Sequence, residues 1–170
     1  MKKDKTNAMR ILDKEKIEYS MMSYDPDDGK IDGVSVAEKI GREVREVYKT
    51  LIAQGNSKNY HVFIIPVDEE LNLKAAAKAV SEKKIEMIPV KDITKVSGYI
   101  RGGCSPVGMK KLFSTCIDAT AQSLETIIVS GGKIGIQIEL KVDDLAKVTR
   151  AQFGEIMIHR KRGSSFIKFR

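Results

Sequence analysis

The sequence predicts a single domain of mixed α and β structure. Apolar residues recur at helical spacing in some segments and on alternate positions in others, and the two kinds of segment follow one another along the chain. No internal repeat, linker or low-complexity stretch divides the 170 residues, which suffice for one full hydrophobic core. We therefore expect an α+β fold in one piece.

The N-terminal part of the chain is predicted as helix, strand and helix. Thr6 is placed to cap a helix whose apolar residues continue to Leu12. Alternating apolar residues then indicate a strand over residues 17–21, followed by a turn. Ser35 and Glu38 form a capping box for a second, short helix.

The remaining elements follow from the same patterns. Residues 47–53 and 60–65 are predicted as a β-hairpin, because Gly55-Asn56-Ser57 separates two β-prone runs. A helical stripe begins at Asn72, and Asp92 can cap a further short helix that closes at Gly98. The last third is predicted as strands at residues 112–117 and 126–129, a turn at 130–133, a strand with strict alternation over 134–140, and a helix whose first turn holds Asp143 and Asp144.

The net charge of +7 is unevenly distributed. The last eleven residues contain five basic side chains and no acidic one, so residues 1–159 carry only +2. Such a segment can neutralise nucleic-acid phosphates, and it can equally be a solvated chain end. We expect a folded domain over residues 1–158 and a basic tail over residues 159–170.

Composition excludes several functional classes. The apolar runs are far shorter than the roughly 20 residues of a membrane helix, and no secretory signal follows the charged N-terminus. Cys104 and Cys116 give neither a disulfide framework nor metal-ligand spacing, which favours a reducing, cytoplasmic setting without a metal or cofactor. His61 and His159 stand in no catalytic motif, so each is interpreted as structural.

Residues 98–111 hold the densest group of conformationally special residues. Four glycines and Pro106 occur within eleven positions, and Lys110 and Lys111 follow. Backbone N–H groups backed by lysines suit an anion or a developing oxyanion. The alternative is a plain connection between two strands.

Two further residues have a structural and a functional interpretation. Lys49 lies within an otherwise apolar strand, where it either discourages edge aggregation or directs a cation into a pocket. Ser130 ends an apolar strand before two glycines, so it is either a turn serine or a polar group at the rim of a cleft.

Several motifs in the same order resemble one protein family. Gly98-Tyr99 followed by Gly102-Gly103-x-Ser105-Pro106-x-Gly108-x-Lys110-Lys111 closely resembles the signature of the YbaK/EbsC family. Tyr48-Lys49-Thr50-Leu51 and Val129-Ser130-Gly131-Gly132-Lys133-x-Gly135 match as well. The members are trans-editing aminoacyl-tRNA deacylases, related to the editing domain of bacterial prolyl-tRNA synthetases. The resemblance extends from about residue 7 to about residue 158.

The resemblance implies a fold and an activity. The fold would be a mixed, partly closed sheet or barrel with flanking helices. The activity would be hydrolysis of Cys-tRNA(Pro), in which the cysteine sulfur of the substrate attacks its own ester and the protein positions it. The implied partners are mischarged tRNA(Pro) and, as a candidate, prolyl-tRNA synthetase, with no metal, cofactor or membrane; a monomer and a homodimer both remain open.

The resemblance also implies roles for individual residues. Lys49 matches the essential lysine of the family. The implied substrate-binding residues are Tyr24, Ile31, Gly102, Gly103, Ser105, Ser130 and Gly131, and the expected tRNA contacts are Lys110, Lys111, Arg160, Lys161 and Arg162.

Two departures from the family pattern bear on the amino acid that is accepted. Residues 30–33 lack the phenylalanine of many relatives and offer Ile31 instead, and Gln137 stands where some relatives have an aspartate. The alternatives to a Cys-tRNA(Pro) deacylase are therefore a deacylase of another mischarged tRNA, such as Ala-tRNA(Pro), and a non-catalytic module that binds tRNA or the synthetase.

Overall fold

The computed structural model describes residues 5–158, which form two β-sheets and five α-helices. The helices are α1 (Asn7–Lys14), α2 (Gly33–Lys39), α3 (Leu73–Ala79), α4 (Ile93–Ser97) and α5 (Val142–Thr149). The strands are β1 (Tyr19–Ser23), β2 (Tyr48–Gly55), β3 (Tyr60–Pro66), β4 (Ile85–Met87), β5 (Ser114–Asp118), β6 (Thr126–Lys133), β7 (Ile136–Lys141) and β8 (Gln152–Gly154).

The two sheets differ in strand direction and, among residues 5–158, are joined by one β-bridge. The first is antiparallel with the order β1-β7-β6. The second has the order β4-β2-β3-β5-β8, in which β5 runs parallel to both of its neighbours. A single parallel bridge between Val47 and Ile128 joins the start of β2 to β6. The expected mixed α+β domain is confirmed.

The hydrophobic core explains why these strands form. All of residues 61–66 in β3 are buried, as expected for a strand covered on both faces. Val62 and Ile64 join a large cluster that links both sheets to α1 and α5, whereas Phe63 and Ile65 pack in a second cluster with α3. β3 therefore contributes one face to each cluster, and its neighbours β2 and β5 also place residues in both.

The predicted capping box of α2 is wrong. Asp32 caps this helix, and its carboxylate accepts hydrogen bonds from the backbone N–H of Ser35 (3.1 Å) and from the Ser35 hydroxyl (2.7 Å). The helix begins at Gly33, so Ser35 lies inside its first turn and cannot serve as the cap. The cap predicted at Thr6 is confirmed, and Asn72 caps α3 although the sequence indicated only a helical stripe there. Asp92 takes the predicted cap position of α4 without a side-chain bond.

The predicted turn at residues 130–133 is also wrong. Strand β6 continues to Lys133, with a shift in its register against β7 between Ser130 and Lys133. Gly132 adopts a φ of 102°, which lets the strand absorb an irregularity without ending. The chain reverses after it, where Gly135 has a φ of 98°.

The short strands and the glycine-rich segment differ from the prediction. The short strands β4 and β8 were not predicted, and the glycine-rich segment joins α4 to β5 rather than two strands. No helix within residues 5–158 is long and apolar enough to cross a bilayer. The predicted basic tail, with Arg160, Lys161 and Arg162, lies outside the described residues.

Candidate active site

The two sheets separate next to the bridge that joins them. On that edge the chain bridges to β6 at Val47, just before β2 begins, and β2 pairs with β4 from Ala53 onward. Between these points this edge of β2 faces no other strand of the part of the chain that the structure describes. The gap leads to a cavity of about 650 Å³, whose lining includes residues from both sheets.

The cavity brings together five residues that the sequence indicated from distant segments. They are Tyr24 after β1, Ile31 before α2, Lys49 in β2, Gly102 in the glycine-rich segment and Ser130 in β6. Convergence of polar groups from several elements on one concave site is the usual arrangement of a ligand pocket. This cavity is therefore our candidate active site.

Lys49 contributes a half-buried cation to this cavity. Its ammonium makes no hydrogen bond or ion pair with another residue between 5 and 158. Burial lowers the pKa of Lys49, and the negative charges of Glu70, Asp68 and Glu69 partly oppose that shift. A lysine held without a direct partner beside a cavity is available to a ligand.

Two hydroxyl groups in the cavity lining are buried without a hydrogen-bond partner among the described residues. They belong to Tyr24, which is 8% exposed, and to Thr50. A buried polar group left unpaired costs about 1–3 kcal/mol, so such groups are uncommon in folded proteins. The Tyr24 ring also lies 5.8 Å from the ammonium of Lys39, at cation–π distance.

Ser130 and Gln137 face each other across the β6–β7 ladder. Gln137 is only 7% exposed and lines the cavity, so the position where this chain differs from some relatives belongs to the candidate site. The Ser130 hydroxyl accepts a hydrogen bond of 3.1 Å from the backbone N–H of Gly132. That bond still leaves the hydroxyl proton of Ser130 able to donate.

Gly102 lies close to Ile31. It has a φ of 91°, in the left-handed region, and a Cβ at this position would lie 3.0 Å from Cδ1 of Ile31. A side chain here would therefore narrow the space beside Ile31. The pair forms one wall of the cavity.

Three other predicted substrate-binding residues do not line the cavity. A Cβ on Gly103 would lie 2.8 Å from the backbone nitrogen of Ile134, and one on Gly131 would lie 2.7 Å from Cγ2 of Ile136, so both glycines permit close packing at the β6–β7 hairpin. The hydroxyl of Ser105 accepts a hydrogen bond from the backbone N–H of Val107 (3.2 Å). These three residues therefore lie outside the cavity lining.

The lysines after the glycine-rich segment lie apart from the cavity. Lys110 and Lys111 are exposed and border a different depression of about 210 Å³. The aliphatic part of Lys110 covers Gly98, because a Cβ there would lie 3.3 Å from its Cγ. Their predicted contact with tRNA stays a prediction.

The sequence did not single out two residues of the lining, Thr50 and Arg101. Arg101 is exposed and adds a second cation to the site. Thr50 belongs to the Tyr48-Lys49-Thr50-Leu51 motif, and its position next to Lys49 was the signal in the sequence that could have placed it at the site. The unpaired state of its hydroxyl is visible only in three dimensions.

Cys104 also lines the cavity, but its environment opposes nucleophilic chemistry. Burial raises the pKa of this thiol to about 11, so little thiolate forms near neutral pH. His61 lies elsewhere, with its Nε2 2.7 Å from Oε2 of Glu82. Residues 5–158 contain no group of three or more His, Cys, Asp or Glu arranged to hold a metal ion.

Comparison with known proteins gives matches over most of the chain. Residues 32–148 match the aminoacyl-tRNA editing domain family. The chain is 45% identical over 152 residues to an Enterococcus faecalis protein provisionally named Cys-tRNA(Pro)/Cys-tRNA(Cys) deacylase EbsC. The aligned residues cover 89% of this chain and 93% of that protein. It is 27% identical over 127 residues to a proline–tRNA ligase of Fervidobacterium nodosum, covering 71% of this chain and 22% of the ligase.

Solved structures show the same fold at lower sequence identity. A hypothetical protein matches with a TM-score of 0.81 and 18% identity over 89% of this chain and 99% of its own. A protein provisionally described as a trans-editing enzyme for prolyl tRNA synthetase matches with a TM-score of 0.77 and 17% identity, over 92% of this chain and 99% of its own.

Proposed function

The chain belongs to the aminoacyl-tRNA editing domain family, and on that premise we propose that it deacylates mischarged tRNA(Pro), with Cys-tRNA(Pro) as its substrate. The observation that carries the proposal is the cavity between the two sheets, where Lys49, Tyr24, Gly102 and Ser130 converge. The name of the Enterococcus relative, which is 45% identical to this chain, supports cysteine as the amino acid.

In the proposed reaction the substrate supplies the nucleophile. The cysteine sulfur, after giving up its proton, attacks the carbonyl carbon of the ester, and the bond to the ribose oxygen of the tRNA breaks. That oxygen takes a proton, which leaves free tRNA and a cyclic thiolactone. The thiol of Cys104, with a pKa of about 11, is not needed as a nucleophile.

The residues of this chain would position the ester and stabilise its charge. Lys49 provides a cation for the oxyanion that develops on the attacked carbonyl, in a setting where burial strengthens electrostatic interactions. Gly102 lets the backbone approach the aminoacyl end because no side chain stands there. Tyr24, Ile31 and Ser130 would enclose the amino acid, with Gly103, Ser105 and Gly131 supporting them.

Contact with the rest of the tRNA is proposed for the basic residues outside the cavity. These are Lys110, Lys111, Arg160, Lys161 and Arg162, within a domain of residues 1–158 and a basic tail. The similarity to part of a proline–tRNA ligase supports prolyl-tRNA synthetase as a partner. The expected place of action is the cytoplasm, where tRNA is charged.

A second candidate is the deacylation of another mischarged tRNA, such as Ala-tRNA(Pro). The observation in its favour is the cavity lining itself, since Ile31 and Gln137 both lie there and both differ from residues found in relatives. Wall residues that change the size and polarity of a pocket change which substrates it accepts.

The test compares aminoacyl-tRNAs that differ either in the attached amino acid or in the tRNA that carries it. Purified protein is incubated with Cys-tRNA(Pro), Ala-tRNA(Pro), Pro-tRNA(Pro) and Cys-tRNA(Cys), and the remaining aminoacyl ester is measured over time. We expect loss of cysteine from tRNA(Pro), retention of proline and release of the thiolactone. Loss of alanine instead would establish the second candidate, and binding without loss of any amino acid would indicate a non-catalytic module.

A further inference from the structure

We propose that Lys39 is a positioning residue for deacylation, because its ammonium holds residues 25–30 in the conformation that presents Tyr24 and Ile31 to the cavity. Residues 25–30, which we call the wall loop, connect these two residues of the lining. The inference rests on the proposed function in that Tyr24 and Ile31 enclose the amino acid of the substrate. Lys39 itself lies outside the cavity lining, so it acts through the wall loop and not by touching the substrate.

The wall loop has little hydrophobic packing to hold it in place. Five of its six residues are exposed, and Pro26 is half-buried. The hydrophobic clusters among residues 5–158 include no residue from 25 to 32. Hydrogen bonds within the loop, such as the one from the N–H of Gly29 to the carbonyl of Pro26 (3.0 Å), fix only local turns. The position of the loop as a whole therefore depends on contacts with other elements.

The ammonium of Lys39, at the end of α2, joins the two ends of the wall loop. It donates to the backbone carbonyl of Asp25 (2.7 Å) at one end, to that of Lys30 (3.0 Å) at the other, and to the carboxylate of Asp28 (2.7 Å) between them. An ammonium has three N–H donors, so all three are used within this one loop. The two bonded carbonyls belong to the residues directly adjacent to the two cavity residues.

This arrangement differs from an ordinary surface ion pair. An exposed pair such as Lys84 and Glu86, 3.9 Å apart, contributes little because both charges stay hydrated. The side chain of Lys39 is only 22% exposed, and two of its three acceptors are backbone carbonyls, which lose a partner if the ammonium is removed. The bond from Lys39 is also the first cause of the lowered pKa of Asp28. The ammonium further lies 5.8 Å from the centroid of the Tyr24 ring, so it contacts one of the two cavity residues directly.

A displaced wall loop would affect the chemical step more than the binding of tRNA. In the proposed reaction the amino-acid side chain must be held with its sulfur against the ester carbonyl, and small displacements of such groups lower a rate steeply. Contacts with the tRNA body are proposed for residues outside the cavity, which the loss of Lys39 leaves in place. We therefore expect an effect on kcat and not on KM.

The kinetic test uses Lys39→Met, a side chain of similar length without a charge or a donor. Well below Tm, kcat on Cys-tRNA(Pro) should fall about tenfold or more, with KM within about threefold of wild type, whereas a merely structural role would leave the kinetics of the folded protein unchanged. Lys39→Arg keeps a cation that can donate to the same oxygens, so it should recover part of kcat. As the control, Lys84→Gln removes an exposed cation outside the cavity lining and should leave kcat and KM unchanged.

Hydrogen exchange in the free protein tests the wall loop independently of deacylation. The backbone N–H groups of Gly29, Lys30 and Ile31 each donate to an acceptor in this segment. We expect them to exchange about tenfold faster in Lys39→Met, because a bond to a charged group is lost, while those of β3 exchange as in the wild type. Asp28→Asn, which leaves both carbonyl contacts of Lys39 in place, should have a smaller effect.

The inference and the proposed function can fail separately. An unchanged kcat in Lys39→Met, whether or not KM rises as it would for a lost phosphate contact, would overturn the positioning role alone. Exchange at the wild-type rate in the wall loop of Lys39→Met would do the same. A wild type that hydrolyses none of the aminoacyl-tRNAs would overturn the proposed function and the positioning role together.

Discussion

Lys49 is the residue on which the proposed chemistry depends most. Its ammonium is half-buried, and its pKa is lowered mainly because burial disfavours the charged form. Replacing it by alanine removes a cation that has no direct partner among residues 5–158, so we expect no loss of Tm. The deacylation rate should fall about a hundredfold or more, as for removal of one oxyanion-stabilising group.

Single-turnover kinetics on Cys-tRNA(Pro) would check this expectation. Lys49→Arg is the matched variant, since it keeps the charge but places it on a larger, planar group. It should retain more activity than Lys49→Ala. An alanine variant within about threefold of the wild-type rate would remove Lys49 from the mechanism.

Ile31 governs the size of the cavity next to Gly102. Its Cδ1 lies 3.0 Å from the point where a Gly102 side chain would begin, so Ile31→Trp should reduce the space for the amino acid. We expect kcat/KM for Cys-tRNA(Pro) to fall relative to Ala-tRNA(Pro), by about tenfold or more, because a pocket that loses room discriminates between side chains of different size. Ile31→Leu, of equal volume, is the control and should leave the ratio nearly unchanged; the same ratio in all three proteins would show that this wall does not select the amino acid.

The site was only partly predictable at this scale. Lys49 and Ser130 are conspicuous in sequence, because each is a polar residue at an apolar strand, and both line the cavity. Thr50 gave no such signal, since threonine is ordinary in a strand. Its significance depends on which groups surround it, and these come from segments far apart in the chain.

At the scale of elements, Glu82 joins the loop of the β2–β3 hairpin to the segment after α3. Its carboxylate accepts hydrogen bonds from the backbone N–H and hydroxyl of Ser57 and pairs with Nε2 of His61. A Cβ on Gly55 would lie 2.1 Å from Cδ of Glu82, so glycine is required where the carboxylate passes. These contacts, those with Ser57 first, lower the pKa of Glu82 from 4.5 to about 2.

The lowered pKa predicts how this contact depends on pH. Because the folded state holds the proton less tightly than the unfolded state, the stabilisation by Glu82 is complete above pH 4.5 and is lost as pH falls towards about 2. The difference in urea midpoint between the wild type and Glu82→Gln should therefore be largest near neutral pH and shrink over this range. Glu86→Gln, at an exposed ion pair of 3.9 Å with Lys84, is the control and should have little effect at any pH. A difference for Glu82→Gln that does not vary with pH would contradict the assignment.

The elements themselves were predictable where one local signal sufficed. Helical spacing with the cap Thr6 located α1, helical spacing alone located α3, and alternation located β7. The prediction failed at Ser35 and at residues 130–133, where two local interpretations compete. Asp32 precedes Ser35 and is an equally good cap, and two glycines permit an irregular strand as well as a turn.

At the scale of the whole molecule, the order of the motifs predicted the site, whereas the periodicity of apolar residues predicted only the fold class. Periodicity gave a mixed α+β domain, but not the separation of two sheets beside the Val47–Ile128 bridge, which creates the cavity. That bridge joins residues 81 positions apart, and no local pattern specifies such a pairing. The resemblance of the motifs to one family indicated the cavity indirectly, because it implied that Lys49, Gly102 and Ser130 belong to one site.

The distribution of charge leads to a prediction for tRNA binding by the whole chain. Of the net charge of +7, the last eleven residues supply five positive charges, so the domain without them is only weakly basic. We expect removal of residues 160–170 to weaken binding of tRNA(Pro) at low salt. The logarithm of the association constant decreases with the logarithm of the salt concentration. The magnitude of that slope should be smaller by up to about 4 in the truncated protein, at roughly 0.7 to 0.9 for each phosphate that is neutralised.

Electrostatic and stacking contributions of the tail can be separated with one matched variant. Replacing Arg160, Lys161, Arg162, Lys168 and Arg170 by glutamine keeps the length and both Phe166 and Phe169. If charge is the cause, this variant and the truncation should have the same reduced salt slope, while kcat on saturating Cys-tRNA(Pro) stays close to wild type because the cavity is intact. Affinity unchanged by truncation at moderate salt would show that tRNA binding does not depend on the tail, and recovery of affinity in the glutamine variant would assign the contact to the aromatic rings.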